Sequence, residues 1–483
     1  MRFARKKELD YFHEKQVWEK VPLSEARRVT GRPAITVRWV DVNKADDVNP
    51  DIRSRLVARQ IRHNGEAAVF APTPPLEALR TVLSIAATEM PGDGPKCRDP
   101  QSDERVQISL IDVARAYFNA KTDPSEPCYV ELPMEDPDRA RGMCGRLLRH
   151  MYGTQKAAEG WQSEYSATLV AMGFEQGLAS PCVFSHRERG LVTSVHGDDF
   201  TTVGAKFQLD WFEATLASYY ELRKGGRLGP GPQDAKEGTV LNRVIRWTQD
   251  GVEYEADPRQ CEKLLEATQL DSDGVNSVAT PGLKPLAAQL AQDKPLSAAQ
   301  HTEFRALAAR ANYLAADRPD CQFSAKEVCR WMSAPTELSL AALRRLCRYL
   351  SGRRRLVYRF GWQKAVGLDC YSDTDWAGCP RTRKSTSGGI LMMGGHVLKT
   401  WSSTQATVSL SSGEAEFNGV VKAAGIALGQ QSILRDLGYV VPVRVWTDSS
   451  AAMGICQRQG LGKLRHIETH TLWVQEKVRR KQF

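Results

Sequence analysis

Three aspartates are the residues of this sequence best suited to chemistry. Asp112 interrupts the apolar run at 108–114, and Asp198 and Asp199 stand side by side after His196 and Gly197. Adjacent carboxylates repel each other, whereas Mg²⁺ takes hard oxygen ligands and leaves room for substrate phosphates. One aspartate at a strand end and a pair in a hairpin turn are typical of two-metal phosphoryl transfer. A solvated Gly-Asp-Asp turn is the alternative interpretation.

A second set of carboxylates stands at similar junctions further along the chain. Asp373 and Asp448 close two predicted strands, and Glu416 lies in the first turn of a helix that Ser411 can cap. Glu468 lies near the start of the last predicted helix. Side chains at strand ends and helix starts can converge, and four carboxylates together need cations to coexist. Taken singly, each is also compatible with a surface acid or a charge at a helix start.

Hydrophobic spacing predicts the elements that position the first set. Residues 35–62 alternate between apolar and polar, which predicts a pair of strands with basic side chains on one face. A Pro-rich entry precedes a helix at 76–88, and Asp112 lies in the next strand. A helix at 157–172 and a hairpin at 192–203, whose turn holds the aspartate pair, follow.

The second half of the chain reads differently. Residues 225–232 are rich in glycine and proline and form the clearest break. Residues 258–270 and 296–350 are dominated by helix formers with helical apolar spacing. From about residue 367 strands are followed by helices, which predicts an α/β domain. Its last helix is expected to carry Ile467 and Val478 along one side.

The composition is that of an ordinary soluble protein. The chain has 483 residues, 42% hydrophobic and 25% charged, which allows roughly two to four domains. The apolar runs are too short to cross a bilayer, and the basic start has no apolar core behind it. We therefore expect no membrane partner and no signal peptide. Eleven cysteines without a C-x-x-C pair predict free thiols in a reducing, intracellular compartment.

The formal net charge of +9 suits a polyanionic partner. Arginines crowd residues 344–355, and basic residues also crowd 477–481. Tyr349, Tyr358 and Phe360 lie among or just after the arginines, as expected of a groove that follows a phosphate backbone. A solvated charged face is the alternative.

Ordered motifs run through the chain from about residue 17 to its end. The sequence DVARAYF at 112–118 and the Gly-Asp-Asp at 197–199 look like the palm motifs of reverse transcriptases. The other blocks are RLVAR at 55–59, FAPT at 70–73, Tyr152-Gly153 with Trp161, RPD at 318–320, YSDTDWAG at 371–378, TRKSTSG at 382–388, WSS at 401–403, LSSGEAE at 410–416 and HIE at 466–468. Together these blocks resemble copia-type retrotransposon polyproteins.

The resemblance implies a multidomain fold of mixed α/β and α+β type. Residues 1–225 would form the fingers and palm of a right-hand polymerase, and 226–365 a mostly helical thumb and connection. Residues 366–483 would form a ribonuclease H-like α/β domain that ends early. No protease or integrase segment is visible, as expected of a fragment of a longer polyprotein or of a truncated copy.

The resemblance also assigns roles. Both acidic sets would be catalytic and would hold metal, two Mg²⁺ (or Mn²⁺) ions in each active site. Tyr117 matches the family's aromatic steric gate, which selects deoxynucleotides. Arg53, Arg55 and Arg59 are candidates for binding the incoming triphosphate, and Gln155 for contacting the nucleotide. The implied partners are an RNA template, a DNA primer, an RNA/DNA hybrid and deoxynucleoside triphosphates, in a cytoplasmic particle or the nucleus.

Three departures from the family pattern affect the expected activity. His196 replaces the tyrosine of the usual Tyr-x-Asp-Asp turn, Gln155 is displaced by one position, and Glu468 stands where the family usually has aspartate. The leading hypothesis is an RNA-directed DNA polymerase with ribonuclease H activity. The alternatives are a remnant that only binds nucleic acid, and a chain in which only the nuclease works.

Overall fold

The structure is a computed structural model that describes residues 1–43, 50–61, 70–272, 274–462 and 464–483. The predicted strand pair at 35–62 lies partly outside these residues. Where it is described, it forms the expected antiparallel pair, with Trp39 opposite Leu56. The predicted multidomain architecture of mixed α/β type is confirmed at the level of its helices and sheets. All eleven cysteines are free thiols, as predicted.

The first part of the chain is built around strands with short helical connections. Its elements are α1 (Arg2–Glu14), β1 (Trp18–Pro22), α2 (Leu23–Thr30), β2 (Val37–Asn43), β3 (Ile52–Ala58), α3 (Leu76–Ala86), β4 (Thr88–Glu89), β5 (Val106–Val113), β6 (Tyr129–Glu131), β7 (Met143–Leu147), α4 (Ala157–Ala171), β8 (Glu175–Gln176), β9 (Val183–His186), β10 (Leu191–His196), β11 (Asp199–Ala205), α5 (Lys206–Tyr219) and β12 (Leu222–Leu228).

A six-stranded sheet, in the order β12-β5-β11-β10-β9-β8, forms the centre of this part. Its strands alternate in direction, and β5 is buried along almost its whole length between β12 and β11. Apolar side chains of the sheet, such as Val195 and Phe200, pack with Trp161 of α4 and Phe212 of α5. The predicted helix at 157–172 and the predicted hairpin at 192–203 are confirmed.

The middle part differs from the sequence-based expectation in two ways. Its elements are β13 (Glu237–Val240), β14 (Arg243–Thr248), β15 (Gly251–Glu255), α6 (Pro258–Ala267), α7 (Ala287–Ala291), α8 (Ala298–Ala315), α9 (Pro319–Cys329), α10 (Glu337–Gly352), β16 (Val357–Gly361) and β17 (Gln363–Lys364). The expected break at 225–232 begins inside β12, which pairs with β5. Residues 237–255 form strands that pair with each other and with β16, so the helical expectation holds only for 258–352. These residues are rich in β-branched and aromatic side chains, and Asp250 and Gly251 stand at the turn between β14 and β15, a hairpin signal that the expectation of a mostly helical segment overlooked.

The last part is a four-stranded sheet covered on one side by a long helix. Its elements are β18 (Leu368–Asp375), β19 (Thr386–Met393), β20 (His396–Thr404), α11 (Ser412–Asp436), β21 (Val443–Trp446), α12 (Ser450–Gln457) and α13 (Trp473–Arg479). The strand order is β20-β19-β18-β21, with β21 parallel to β18. Ser411 caps α11 as predicted, since its hydroxyl accepts the N–H of Glu414 at 3.2 Å. The last helix begins only at residue 473, so Ile467 lies before it, contrary to expectation.

A buried ion network joins the parts. Asp317, between α8 and α9, accepts hydrogen bonds from Arg80 of α3 at 2.7 Å, from Arg243 of β14 at 2.9 and 3.0 Å, and from the Tyr254 hydroxyl at 2.6 Å. Arg80 also donates to the Leu398 carbonyl of β20 at 3.4 Å. Side chains from α3, β14 and β15 therefore meet at the Asp317 carboxylate, and Arg80 links it to β20. In the described part of the chain, no helix combines the length and the apolar character needed to cross a membrane.

Candidate active sites

The first acidic site, defined as Asp112, Asp198 and Asp199, lies at one end of the central sheet. Asp199 is the first residue of β11 and is the cross-strand partner of Asp112 in β5. Asp198 lies in the two-residue turn before β11, and its carbonyl accepts the N–H of Val113 at 2.9 Å. The hairpin and the register of β5 therefore bring together all three aspartates that were predicted to act together.

The carboxylates of the first site disfavour one another's charge. Burial raises the pKa of Asp199 to about 7, and the charges of Asp198 and Asp112 add to the rise. Burial also raises the pKa of Asp112, again with a contribution from Asp198. A divalent cation would relieve both the repulsion and the loss of hydration. Their carboxylate oxygens are the ligand type that a hard cation prefers, but the three residues, all of them described by the structure, do not bring ligand atoms within 4.8 Å of one another as a set.

The hairpin turn at the aspartate pair is stabilised by a side chain of helix α4. Gly197 has φ of +64°, as the first central residue of a tight type II′ hairpin requires. The indole N–H of Trp161 donates to the Gly197 carbonyl at 2.8 Å. His196 is the cross-strand partner of Asp199 and is half-buried, and burial lowers its pKa. The sequence identified Trp161 as part of a motif but did not reveal that it supports this turn.

Arginines surround the first site. Arg223 of β12 lies opposite Asp112, with a guanidinium nitrogen 3.9 Å from the Asp112 carboxylate. Arg53 and Arg55 of β3 lie near enough to oppose the rise in the pKa of Asp112. The Nε of Arg55 is buried without a hydrogen-bond partner among the described residues. Sequence reasoning missed Arg223, because only the strand pairing places it beside Asp112.

Tyr117 belongs to the same site. It lies in a 3₁₀ turn, Ala116–Asn119, that follows β5. Burial raises its pKa, and the charge of Asp198 contributes, so Tyr117 lies within range of that charge. Its ring centroid lies 4.8 Å from that of Tyr152 in an edge-to-face arrangement.

Arg59 and Gln155 lie elsewhere. Both line a cavity of about 1180 Å³ whose described lining residues include none of the three aspartates. Arg59 donates from its Nε to the Thr36 hydroxyl at 3.1 Å, and the Gln155 backbone N–H donates to the Gln60 side chain at 2.8 Å. Neither Arg55 nor Tyr117 is among the described lining residues of this cavity.

The second acidic site, defined as Asp373, Glu416 and Asp448, is more compact. Carboxylate oxygens from the three residues lie within 4.8 Å of one another. Asp373 comes from β18, Glu416 from the first turns of α11, and Asp448 from the segment after β21. The parallel pairing of β18 with β21 and the packing of α11 on the sheet bring them together.

Glu416 is the buried member of the second site. One of its carboxylate oxygens accepts the N–H and the hydroxyl of Thr374 at 3.1 and 2.7 Å. The other oxygen is buried without a hydrogen-bond partner in the described part of the chain. Burial raises the pKa of Glu416, and Asp373 and Asp448 contribute to the rise. A buried lone oxygen facing two further carboxylates fits a cation.

Glu468 does not join the second site. Its side chain is 67% exposed and pairs with His470 at 2.9 Å. It precedes a 3₁₀ turn, Thr469–Leu472, rather than the last helix. The structure therefore brings together three of the four predicted carboxylates of the second set and leaves out the one that also departs from the family pattern.

The predicted aromatic groove along the arginine-rich segment is wrong. Tyr349, Tyr358 and Phe360 are buried in the core. Two of the arginines hold a neighbouring segment instead, because Arg348 donates to the Asn276 carbonyl and Arg354 to the Asp271 carbonyl, both at 2.9 Å. Burying these large rings in the core removes more apolar surface from water than placing them in an exposed groove for a polyanion would.

Comparison with known proteins shows what the chain is similar to. Residues 15–229, which include the first acidic site, match the family described as "Reverse transcriptase (RNA-dependent DNA polymerase)". The retrovirus-related Pol polyproteins of transposons RE2 and RE1 from Arabidopsis thaliana are each 25% identical to this chain, over 92% and 91% of its length. That of transposon TNT 1-94 from Nicotiana tabacum is 23% identical over 93% of this chain.

The chain is thus a homologue of copia-type retrotransposon Pol polyproteins over most of its length, which confirms the resemblance. It spans about a third of the length of these relatives, namely 30%, 29% and 33%. The family match ends at residue 229, before the second acidic site, so the evidence for that site is its geometry.

Proposed function

We propose that this chain is the reverse transcriptase and ribonuclease H region of a copia-type retrotransposon polyprotein. Residues 1–225 would supply the fingers and palm, 226–365 the thumb and connection, and 366–483 the ribonuclease H-like domain. The observation that carries the polymerase proposal is the placement of Asp112 opposite Asp199, inside the matched region and near Arg55, whose buried Nε has no hydrogen-bond partner among the described residues.

The first site would bind a deoxynucleoside triphosphate at the end of a DNA primer paired with an RNA template. Asp112, Asp198 and Asp199 would hold the metal ions. When bound, two Mg²⁺ (or Mn²⁺) ions in each site neutralise phosphate charge and acidify the attacking hydroxyl or water. Arg55 and Arg223 provide charge for the triphosphate, and arginine can grip phosphate oxygens in a bidentate manner.

Tyr117 would select the sugar of the incoming nucleotide. The charge of Asp198 contributes to the raised pKa of Tyr117, and the Tyr117 ring is held at its edge by Tyr152. A ring packed under the sugar leaves no room for a 2′-hydroxyl, so a ribonucleotide would be excluded by overlap. The arrangement combines a charged site for the phosphates with an apolar wall for the sugar.

The second site would cleave the RNA strand of an RNA/DNA hybrid. Asp373, Glu416 and Asp448 would hold the metal ions, and Thr374 fixes the orientation of Glu416 by two hydrogen bonds. A cleft of about 440 Å³ beside Asp373 is lined by Phe323, Tyr371 and the glycines of β19. Aromatic rings next to an acidic site are suited to sugars and bases of a bound strand.

Primer extension tests the polymerase proposal. We expect wild-type protein to extend oligo-dT on poly-rA with Mg²⁺ and dTTP. Asp199→Asn should reduce the rate by about 10³-fold or more, since a metal site contributes several kcal/mol to the transition state. Asp10→Asn, an exposed aspartate on α1, is the matched control and should keep the rate. Absence of extension by folded wild type would refute the polymerase proposal.

Hybrid cleavage tests the nuclease proposal separately. Wild type should cleave a labelled RNA strand in an RNA/DNA hybrid, and Asp448→Asn should lose this activity while it still extends primers. If cleavage survives in Asp448→Asn, the metal assignment of the second site is wrong.

A remnant that binds nucleic acid without polymerising is the second candidate. His196 favours it, because it stands beside Asp199 where the family has a tyrosine. This candidate predicts binding of a primer–template with no extension at any Mg²⁺ concentration. A chain in which only the nuclease works would show cleavage and no extension, so the same two assays separate all three.

A further inference from the structure

The ring of Tyr152 contacts two residues of the first site. The guanidinium carbon of Arg55 lies 4.7 Å from its ring centroid, within range of a cation–π contact. The Tyr117 ring centroid lies 4.8 Å from that of Tyr152 at an interplanar angle of 64°, an edge-to-face pair. Phe118 packs against it at 5.8 Å and 75°. Tyr152 is thus a shared contact of Arg55 and the ring proposed to select the sugar.

The backbone around Tyr152 is fixed against the arginine-bearing strand. Its carbonyl accepts the N–H of Ala58, the last residue of β3, at 2.8 Å. Gly153 has φ of +83°, and a Cβ at that position would lie 2.0 Å from the Ala58 carbonyl oxygen. Only glycine fits there, so β3 lies directly against this segment. The Tyr152 ring therefore has little freedom to move relative to Arg55.

The hydroxyl of Tyr152 contributes no hydrogen bond to this arrangement. It is buried and has no partner among the residues that the structure describes. Burial raises its pKa to about 12, so the phenol stays neutral at physiological pH. The contacts that hold Arg55 and Tyr117 therefore belong to the ring, and phenylalanine would preserve them.

We infer that Tyr152 is a positioning residue that couples triphosphate binding by Arg55 to sugar selection by Tyr117. The inference rests on the proposed polymerase function. Without the Tyr152 ring, the Tyr117 ring loses its edge support and can swing away from the sugar. A ribonucleotide then meets less overlap, whereas a deoxynucleotide, which never contacted that space, is affected less.

Single-nucleotide insertion on a poly-rA template primed with oligo-dT tests the inference. The measured quantity is the ratio of kcat/KM for dTTP to kcat/KM for UTP, in wild type, Tyr152→Phe and Tyr152→Ala. We expect the ratio to fall about tenfold in Tyr152→Ala, mainly through a lower KM for UTP, and to stay within about twofold of wild type in Tyr152→Phe. A merely destabilising change would lower both insertion rates together and leave the ratio unchanged.

A double-mutant cycle identifies Tyr117 as the residue through which Tyr152 acts. In a Tyr117→Ala background, Tyr152→Ala should change the ratio by less than about twofold. Tyr152→Leu, which keeps volume without a ring, replaces Tyr152→Ala if the latter does not fold, and should also lower the ratio. An unchanged ratio in a folded, dTTP-active variant overturns the inference alone. Failure of wild type to insert dTTP overturns the proposed function, and the inference with it.

Discussion

In the first acidic site the carboxylates come from neighbouring strands of one sheet, whereas in the second they come from a strand, a helix and the segment after a parallel strand. Arg53, Arg55 and Arg223 crowd the first site. The buried Glu416 of the second is oriented by neutral donors of Thr374. The first site therefore offers arginines to a polyanion and carboxylates to a metal ion. The second site offers chiefly carboxylates to a metal ion.

The difference agrees with what each proposed reaction must bind. A triphosphate brings several negative charges into the site at each cycle, so cations from the protein add affinity where they face it. A nucleic-acid strand is anchored by many phosphates outside the cleavage site, so fewer protein cations are needed at the reacting one. Variants that affect only one site test whether this contrast is real.

The largest expected effect distinguishes Glu416 from Glu468. Glu416→Gln should reduce hybrid cleavage by about 10³-fold, because it removes a buried ligand of the second site. Glu468→Gln, at an exposed position outside the cluster, should leave cleavage within about threefold of wild type. Both are measured on a labelled hybrid. Equal losses in the two variants would restore Glu468 to the site.

A second prediction concerns the buried ion network around Asp317, which joins the parts of the chain that contain the two sites. Asp317→Asn leaves Arg80 and Arg243 buried without their countercharge, so it should lower the free energy of unfolding by about 3 to 5 kcal/mol. Urea unfolding followed by tryptophan fluorescence measures the loss. Asp271→Asn, at an exposed position, is the control and should stay within about 0.5 kcal/mol of wild type. Unlike a change in either site, Asp317→Asn should impair both activities together.

The third prediction is a pH dependence that is strongest at the first site. The pKa of Asp199 is about 7 in the folded chain against an ordinary value of 3.8. Between these pH values the folded chain binds more protons than the unfolded chain, so without metal the free energy of unfolding should decrease as pH rises. Metal binding needs the deprotonated carboxylate, so Mg²⁺ affinity should increase up to about tenfold per pH unit below pH 7 and level off above it.

Thermal unfolding with and without Mg²⁺, from pH 5.5 to 8.5, measures this dependence. Asp199→Asn should abolish most of the dependence on pH, whereas Asp448→Asn should keep it. A metal-induced shift in Tm of wild type that is the same at all pH values would contradict the raised pKa of Asp199.

The smallest expected effect concerns the turn. His196→Tyr restores the family's aromatic ring beside Asp199, and a stacked aromatic contact contributes about 0.5 to 1.5 kcal/mol. Primer extension should therefore become about threefold faster, with hybrid cleavage unchanged. A slower variant would indicate that the surroundings of this turn have adapted to histidine.

Local signals in the sequence predicted much of the fold and of both sites. Alternation and turn glycines located the hairpin of Asp198 and Asp199, and a capping serine located the start of α11. The strands at 237–255 were missed although their β-branched residues and the Asp-Gly turn at 250–251 indicate a hairpin. The late start of the last helix was missed because short elements carry little periodicity. Arg223 was not found from the sequence, and Tyr152 was found only as part of a motif, since strand pairing and packing alone bring them to Asp112 and Tyr117.

Titration with Mn²⁺ tests the central claim that one chain contains two independent metal centres. Isothermal calorimetry on wild type should resolve two classes of site. Asp112→Asn should remove only one class and Asp448→Asn only the other, with the remaining class unchanged in affinity. Loss of both classes in a single folded variant, or of neither, would contradict the account.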